Sequence, residues 1–165
     1  MSAGLREFCS LISILIIEGN PAIRSLAREI LEGAGAVCAT GDDLGAAEQL
    51  ARRYRPDGVL LDIGPSLEGI EATRAIKAER PETTVLLLTG HDEDAYLGAT
   101  GKTGADALLP KKALRRALLP TLRGLNNRAF FRLWDGRERR RTPTAEAWSG
   151  RERRRQTASG TPSGR

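Results

Sequence analysis

The chain has 165 residues, 40% of them apolar and 28% charged, the proportions of a globular protein with one domain and a short appendage. That excludes a collagen-like, fully disordered or membrane-embedded chain, and two cysteines, Cys9 and Cys38, make no disulfide scaffold and fit a reducing compartment. The formal charge of +5 is unevenly held: residues 1–126 carry 15 Lys and Arg against 17 Asp and Glu, whereas residues 127–165 carry 11 against 4. A mildly acidic domain therefore precedes a basic tail.

The longest apolar run, residues 8–17 (FCSLISILII), is well short of the roughly 20 residues that span a bilayer. Arg6 is the only basic residue before it, Glu7 adjoins it, and no small-residue cleavage site precedes Glu18. It reads as a buried first strand rather than a signal or anchor. Asn20-Pro21 opens a helix, with Asn20 as the cap and Pro21 at the first helical position, where its missing N–H costs nothing. Ile23, Leu26, Ile30 and Leu31 follow at helical spacing.

A second strand is predicted over 36–40. Asp43 is expected to cap a second helix with an apolar stripe of Leu44, Ala47, Leu50 and Ala51. Residues 58–62 (GVLLD) read as a third strand, 69–79 as a third helix, and 84–89 (TVLLLT) as a fourth strand. A weaker helix over 92–100, a short strand over 107–110 and a helix over 112–125 complete the series. Its last helix carries Leu114, Leu118, Leu122 and Leu125. Continuously apolar middle strands alternating with helices predict a doubly wound α/β domain whose parallel sheet is covered on both faces.

After Asn127 the character changes. Trp134-Asp135-Gly136-Arg137-Glu138-Arg139-Arg140-Arg141 is nearly repeated fourteen residues on, as Trp148-Ser149-Gly150-Arg151-Glu152-Arg153-Arg154-Arg155. Gly, Ser, Thr and Pro dominate beyond Gln156. The division expected is a lead-in (1–11), a folded domain (12–126) and an Arg-rich, low-complexity, disordered tail (127–165). The last helix has a further option of extending through Phe130, Phe131 and Leu133.

In parallel α/β sheets the functional crevice lies beyond the carboxyl ends of the strands. Strand one ends at Glu18, strand three at Asp62 and strand four at Thr89, and strand five runs into Lys111. Two carboxylates, a hydroxyl and an ammonium at one edge suit phosphoryl transfer. A carboxylate can be the acceptor nucleophile, oxygen ligands can hold Mg²⁺, and the hydroxyl and ammonium can neutralise phosphoryl oxygens. His91 is the only histidine, so no His-based metal cluster can form, and it reads as a loop residue.

The segments ILIIEGNPAIRSL (14–26), PDGVLLDIG (56–64), GIEATRAI (69–76), TVLLLTGH (84–91) and GADALLPKKAL (104–114) together resemble the response-regulator receiver domain, the phosphoacceptor module of two-component signalling. The resemblance covers about residues 12–125. It implies a flavodoxin-like (βα)5 fold with a five-stranded parallel sheet in the order 2-1-3-4-5. It also implies that Asp62 is the phosphorylated aspartate, Glu18 the first of two acidic metal-site residues, Thr89 the hydroxyl that bonds the phosphoryl group, and Lys111 its lysine partner. Gly64 would offer a backbone carbonyl to the metal. The expected cofactor is Mg²⁺, held by Glu18, Asp62 and Gly64. The expected partners are a histidine kinase or a phosphotransfer protein, and a second copy or a target protein at the face of the fourth helix, fifth strand and fifth helix.

The sequence departs from the family's pattern in four places. Gly19 replaces the second acidic residue, and the loop IGPSLEG is one residue shorter between the aspartate and the proline. Leu108 takes the aromatic switch position, and Lys112 replaces the proline after the lysine. The leading expectation is a stand-alone cytoplasmic receiver, a signalling module and not a metabolic enzyme. One alternative is a degenerate receiver that works as a phosphorylation-independent interaction module. Another is nucleic-acid binding through the tail's arginines. Against that stand the interposed Glu138 and Glu152 and the lack of a recognisable DNA-reading motif, so the tail reads first as solvated chain.

Overall fold

The computed structural model describes residues 12–90 and 103–125. Their order is β1 (Ser13–Ile17), α1 (Pro21–Gly33), β2 (Val37–Gly41), a 3-10 turn (Leu44–Ala46), α2 (Ala47–Tyr54), β3 (Gly58–Asp62) and α3 (Glu68–Glu79). Then follow β4 (Thr84–Thr89), β5 (Ala107–Pro110), a second 3-10 turn (Lys111–Ala113) and α4 (Leu114–Gly124). Cys9, His91, the helix predicted over 92–100 and the tail all lie outside the described residues. No described helix is long and apolar enough to cross a membrane.

All strand pairings are parallel, and the sheet runs β2-β1-β3-β4-β5, the order the resemblance implied. Because side chains alternate across a strand, the sheet builds two cores. Ile14, Ile16, Cys38, Leu60, Leu86, Leu88 and Leu109 face Leu31 of α1 and Leu114, Leu118 and Leu122 of α4. Leu15, Ile17, Val37, Val59, Leu61, Val85 and Leu87 face Ala47 and Ala51 of α2 and Ile70 and Ile76 of α3. β1, β3 and β4 are buried on both sides, which is why each reads as an unbroken apolar run.

The starts of the helices follow from local chemistry. The Asn20 side chain accepts hydrogen bonds from the Ala22 and Ile23 N–H groups at 2.9 and 3.3 Å, with Pro21 at the first position as expected. Asp43 departs from expectation: it accepts from Gly45 N–H at 2.8 Å and caps the 3-10 turn, not α2 itself. Gly45 is a poor helix former, and α2 starts only at Ala47. The second strand begins one residue later than predicted, because the Ala36 N–H is taken by the Leu31 carbonyl (3.0 Å) in the turn that ends α1.

Candidate functional site

The carboxyl edge of the sheet gathers the candidate residues. Asp62 is the last residue of β3, Glu18 follows β1 directly, Thr89 ends β4, and Lys111 follows β5. Lys111 joins three strands. Its Nζ lies 2.9 Å from Glu18 Oε2, 3.1 Å from Glu18 Oε1 and 3.0 Å from Asp62 Oδ1. Burial works against the ammonium charge, but hydrogen bonds and attraction from Glu18 and Asp62 outweigh it and hold Lys111 above the ordinary lysine value. Two carboxylates and one ammonium leave one net negative charge.

Glu18 is the most enclosed member, with 1% of its surface exposed. Oε1 also accepts from the Asn20 N–H at 2.9 Å. Oε2 faces the ammonium yet receives no donated hydrogen bond. Asp62 keeps 18% of its side chain open to solvent, so an incoming group can reach it. Thr89 is buried at the end of β4, paired with Pro110 in register, which sets it next to the backbone that carries Lys111.

Gly64 sits in the left-handed region at φ +76°, where glycine carries no steric penalty. Its carbonyl accepts a long turn bond from the Leu67 N–H, 3.4 Å, and a carbonyl has a second lone pair to offer. The shortened loop closes through Leu67, a non-glycine residue at φ 67°, which precedes α3 without a side-chain cap.

Three residues that sequence reasoning did not assign to the site complete the frame. Arg24, on α1, reaches back and donates from Nη1 to the Glu18 carbonyl and, at 3.4 Å, to that of Gly19. Asn20 both caps α1 and fixes the Glu18 carboxylate. Gly69 lets α3 lie directly on the end of β3: its N–H donates to the Ile63 carbonyl at 2.9 Å, and a Cβ there would strike the backbone of Asp62 and Ile63. A glycine in the first turn of a predicted helix was the available signal for that close approach.

The donor set can be tested against Mg²⁺. Among the described residues no three His, Cys, Asp or Glu side chains gather as a metal cluster, in keeping with Gly19 at the second acidic position. Mg²⁺ needs fewer protein ligands than that, since it keeps several waters and commonly uses one or two carboxylates. An enclosed Glu18 oxygen without a donated hydrogen bond, the partly open Asp62 carboxylate and a carbonyl in the next turn meet that requirement.

Comparison with known proteins agrees with the fold. The family model described as the response regulator receiver domain matches residues 14–123. The transcriptional regulatory protein DegU of Brevibacillus brevis is 36% identical over 115 residues, covering 68% of this chain and 49% of that protein. A LuxR-family two-component response regulator from Aurantimonas superposes with a TM-score of 0.60 at 30% identity, over 67% of this chain and 81% of that one. The BeF3-activated N-terminal receiver domain of RstA from Klebsiella pneumoniae gives a TM-score of 0.60 at 27% identity, over 67% of this chain and 95% of that one. The chain spans about half the length, or less, of the curated relatives it matches.

Proposed function

This chain belongs to the response regulator receiver domain family, and we propose that Asp62 accepts a phosphoryl group from the phosphohistidine of a histidine kinase or phosphotransfer protein in the cytoplasm. The observation that carries the reading is the Lys111 ammonium held between Asp62 and Glu18. An Asp62 carboxylate oxygen attacks phosphorus, the bond from phosphorus to the donor nitrogen breaks, and that electron pair leaves on the imidazole. Lys111 stays beside the acylphosphate and neutralises negative charge on its phosphoryl oxygens, while Thr89, at the adjoining strand end, donates its hydroxyl to a phosphoryl oxygen.

Bound Mg²⁺ would supply further positive charge for the phosphoryl oxygens, with Glu18, Asp62 and the Gly64 carbonyl as its protein ligands. Glu18 is already oriented by Asn20 and Lys111, so little ordering remains to be done. The acylphosphate then shifts the population of two states of the face that carries β5 and α4. That face is the contact surface for a target protein or a second copy.

The test is incubation with Mg²⁺ and acetyl phosphate, read by intact mass, with Asp62→Asn as control. Gain of one phosphoryl group by the wild type alone supports the reading. No adduct, together with no beryllofluoride or Mg²⁺ binding, would overturn it in favour of a phosphorylation-independent interaction module. Gly19 is the feature that favours that second reading.

A further inference from the structure

We propose that Arg24 is a positioning residue for the acceptor site, acting on Glu18 through the peptide that joins Gly19 to Asn20. This role rests on Asp62 being the phosphoacceptor, and it brings α1 into a site otherwise built from strand ends. Arg24 uses its guanidinium differently from other arginines of the domain. Arg28, one turn further along α1, pairs with Glu32 at 2.9 Å, and Arg52 and Arg80 likewise pair with acids. Arg24 instead turns back over the start of the helix. A single nitrogen, Nη1, donates to the carbonyls of Glu18 and Gly19, the latter at 3.4 Å. Helix stability does not ask for this placement, since a cation near a helix N-terminus opposes the dipole.

The far side of those peptides shows what the bonds accomplish. A peptide unit is planar and trans, so the Gly19 carbonyl and the Asn20 N–H turn together as one rigid plate. Arg24 holds the oxygen of that plate, and the N–H of the plate donates to Glu18 Oε1 at 2.9 Å. The Glu18 oxygens meet the Lys111 ammonium at 3.1 and 2.9 Å, and Lys111 reaches Asp62 at 3.0 Å. A chain of contacts therefore runs from the guanidinium, through one peptide plane, to the carboxylate that shares Lys111 with the acceptor.

Gly19 is what makes such a clamp necessary. Glycine has the widest backbone freedom of any residue, and Gly19 is exposed. The space at its Cβ position is open, the nearest atom being the Asp42 carbonyl oxygen at 3.6 Å. No side chain steadies the turn, so rotation at Gly19 would carry the Asn20 N–H away from Glu18. The two bonds of Arg24 fall on the two peptide planes that flank the Gly19 Cα, and together they lock that rotation. Asn20 secures the other end of the plate by capping α1 at 2.9 and 3.3 Å.

Four variants of the full chain test the role. Arg24→Met keeps the stem and loses the donors, and Arg24→Gln has a polar arm too short for the carbonyls. Arg24→Lys offers an ammonium whose three N–H groups can serve both carbonyls, and Arg28→Met removes the same charge one turn away. Thermal melts within a few degrees of wild type show which variants are folded. By NMR-detected amide exchange, the Asn20 N–H should exchange about tenfold faster in Arg24→Met and Arg24→Gln, the effect of losing one hydrogen bond. It should stay close to wild type in Arg24→Lys and Arg28→Met. Labelling by acetyl phosphate with Mg²⁺ should slow about tenfold to a hundredfold in the two loss variants, and Arg24→Lys should return most of the rate. In a Glu18→Ala background Arg24→Met should cost nothing further, because its effect passes through that carboxylate. Unchanged Asn20 exchange in either folded loss variant would overturn the proposal. An equal loss in Arg28→Met would also overturn it, by making the effect one of helix charge, and so would an additive loss on Glu18→Ala. Asn20 exchange requires no phosphoryl group, so a wild type that accepts none overturns the reading of Asp62, while the exchange rates still decide whether Arg24 places Glu18.

Discussion

Gly69→Ala adds one methyl group where α3 meets β3, and the surroundings fix its cost. The new Cβ would lie 2.8 Å from Ile63 Cα, 3.0 Å from the Asp62 carbonyl carbon and closer still to the Asp62 carbonyl oxygen. All three are backbone atoms, so no side-chain rotation relieves the overlap. The start of α3 has to slide away from the sheet, dragging buried Ile70, Thr73 and Ile76 and stretching the bond from Gly69 N–H to the Ile63 carbonyl. Overpacking of this kind costs about 1–3 kcal/mol, and a backbone obstacle sets it at the upper end. Alanine's better helix propensity returns about 1 kcal/mol at most, which leaves a net loss of about 2 kcal/mol. Gly124→Ala is the matched control: nothing lies within 4 Å of its Cβ, so at the last turn of α4 it should gain about 0.5 kcal/mol. Urea unfolding followed by circular dichroism reads both, as midpoint shifts of opposite sign with unchanged slope. If Gly69→Ala is as stable as wild type, or if the two variants shift the same way, the close approach of α3 to Asp62 is wrong.

Lys111→Ala should destabilise by about 2–3 kcal/mol after allowance for the water that reaches the ammonium, because the enclosed Glu18 carboxylate loses its partner. Adding Glu18→Ala should recover part of that loss in a double-mutant cycle; strict additivity would deny the coupling. The raised pKa of Lys111 gives this contribution a sign: it is complete below pH about 10.4, the unfolded lysine value, and is lost as pH rises through the folded one. Gly19→Asp should fold normally, since the nearest atom to a Cβ there is the Asp42 carbonyl oxygen at 3.6 Å. It should raise Mg²⁺ affinity by at least about tenfold in calorimetric titration, and unchanged affinity would remove the acidic deficit as the limiting factor. Burial pushes the Cys38 thiol up to about 12, with Glu32 adding to the shift and Arg28 opposing it. In a Cys9→Ser background, iodoacetamide at neutral pH should therefore label Cys38 only after unfolding; labelling of the folded protein would refute its burial.

β3, β4 and β5 were legible to the residue, because each is an apolar run bounded by turn residues, and in β3 and β4 burial on both faces leaves no alternation to confuse the reading. The boundaries that slipped belong to local competition: Gly45 delays α2, and Ala36 is claimed by the end of α1. The four strand-end residues were visible as types at positions. What could not be read was that Lys111 binds Glu18 as well as Asp62, since a contact between residues so far apart in the chain exists only once strand order is known. Arg24 was hidden for a different reason. An arginine on a helix face reads as solvated surface, and only the turn of the chain at Gly19 brings two carbonyls under its guanidinium.

The bond between Glu18 and Lys111 closes a separation of 93 residues, nearly the whole domain. While the chain is being synthesised, β1 and β3 can pair long before β5 emerges, and until then Glu18 and Asp62 lack the ammonium that joins them. The candidate site is thus among the last features completed. A truncated or half-folded chain lacks the finished pocket, so the proposed phosphoryl acceptance is coupled to completion of the fold.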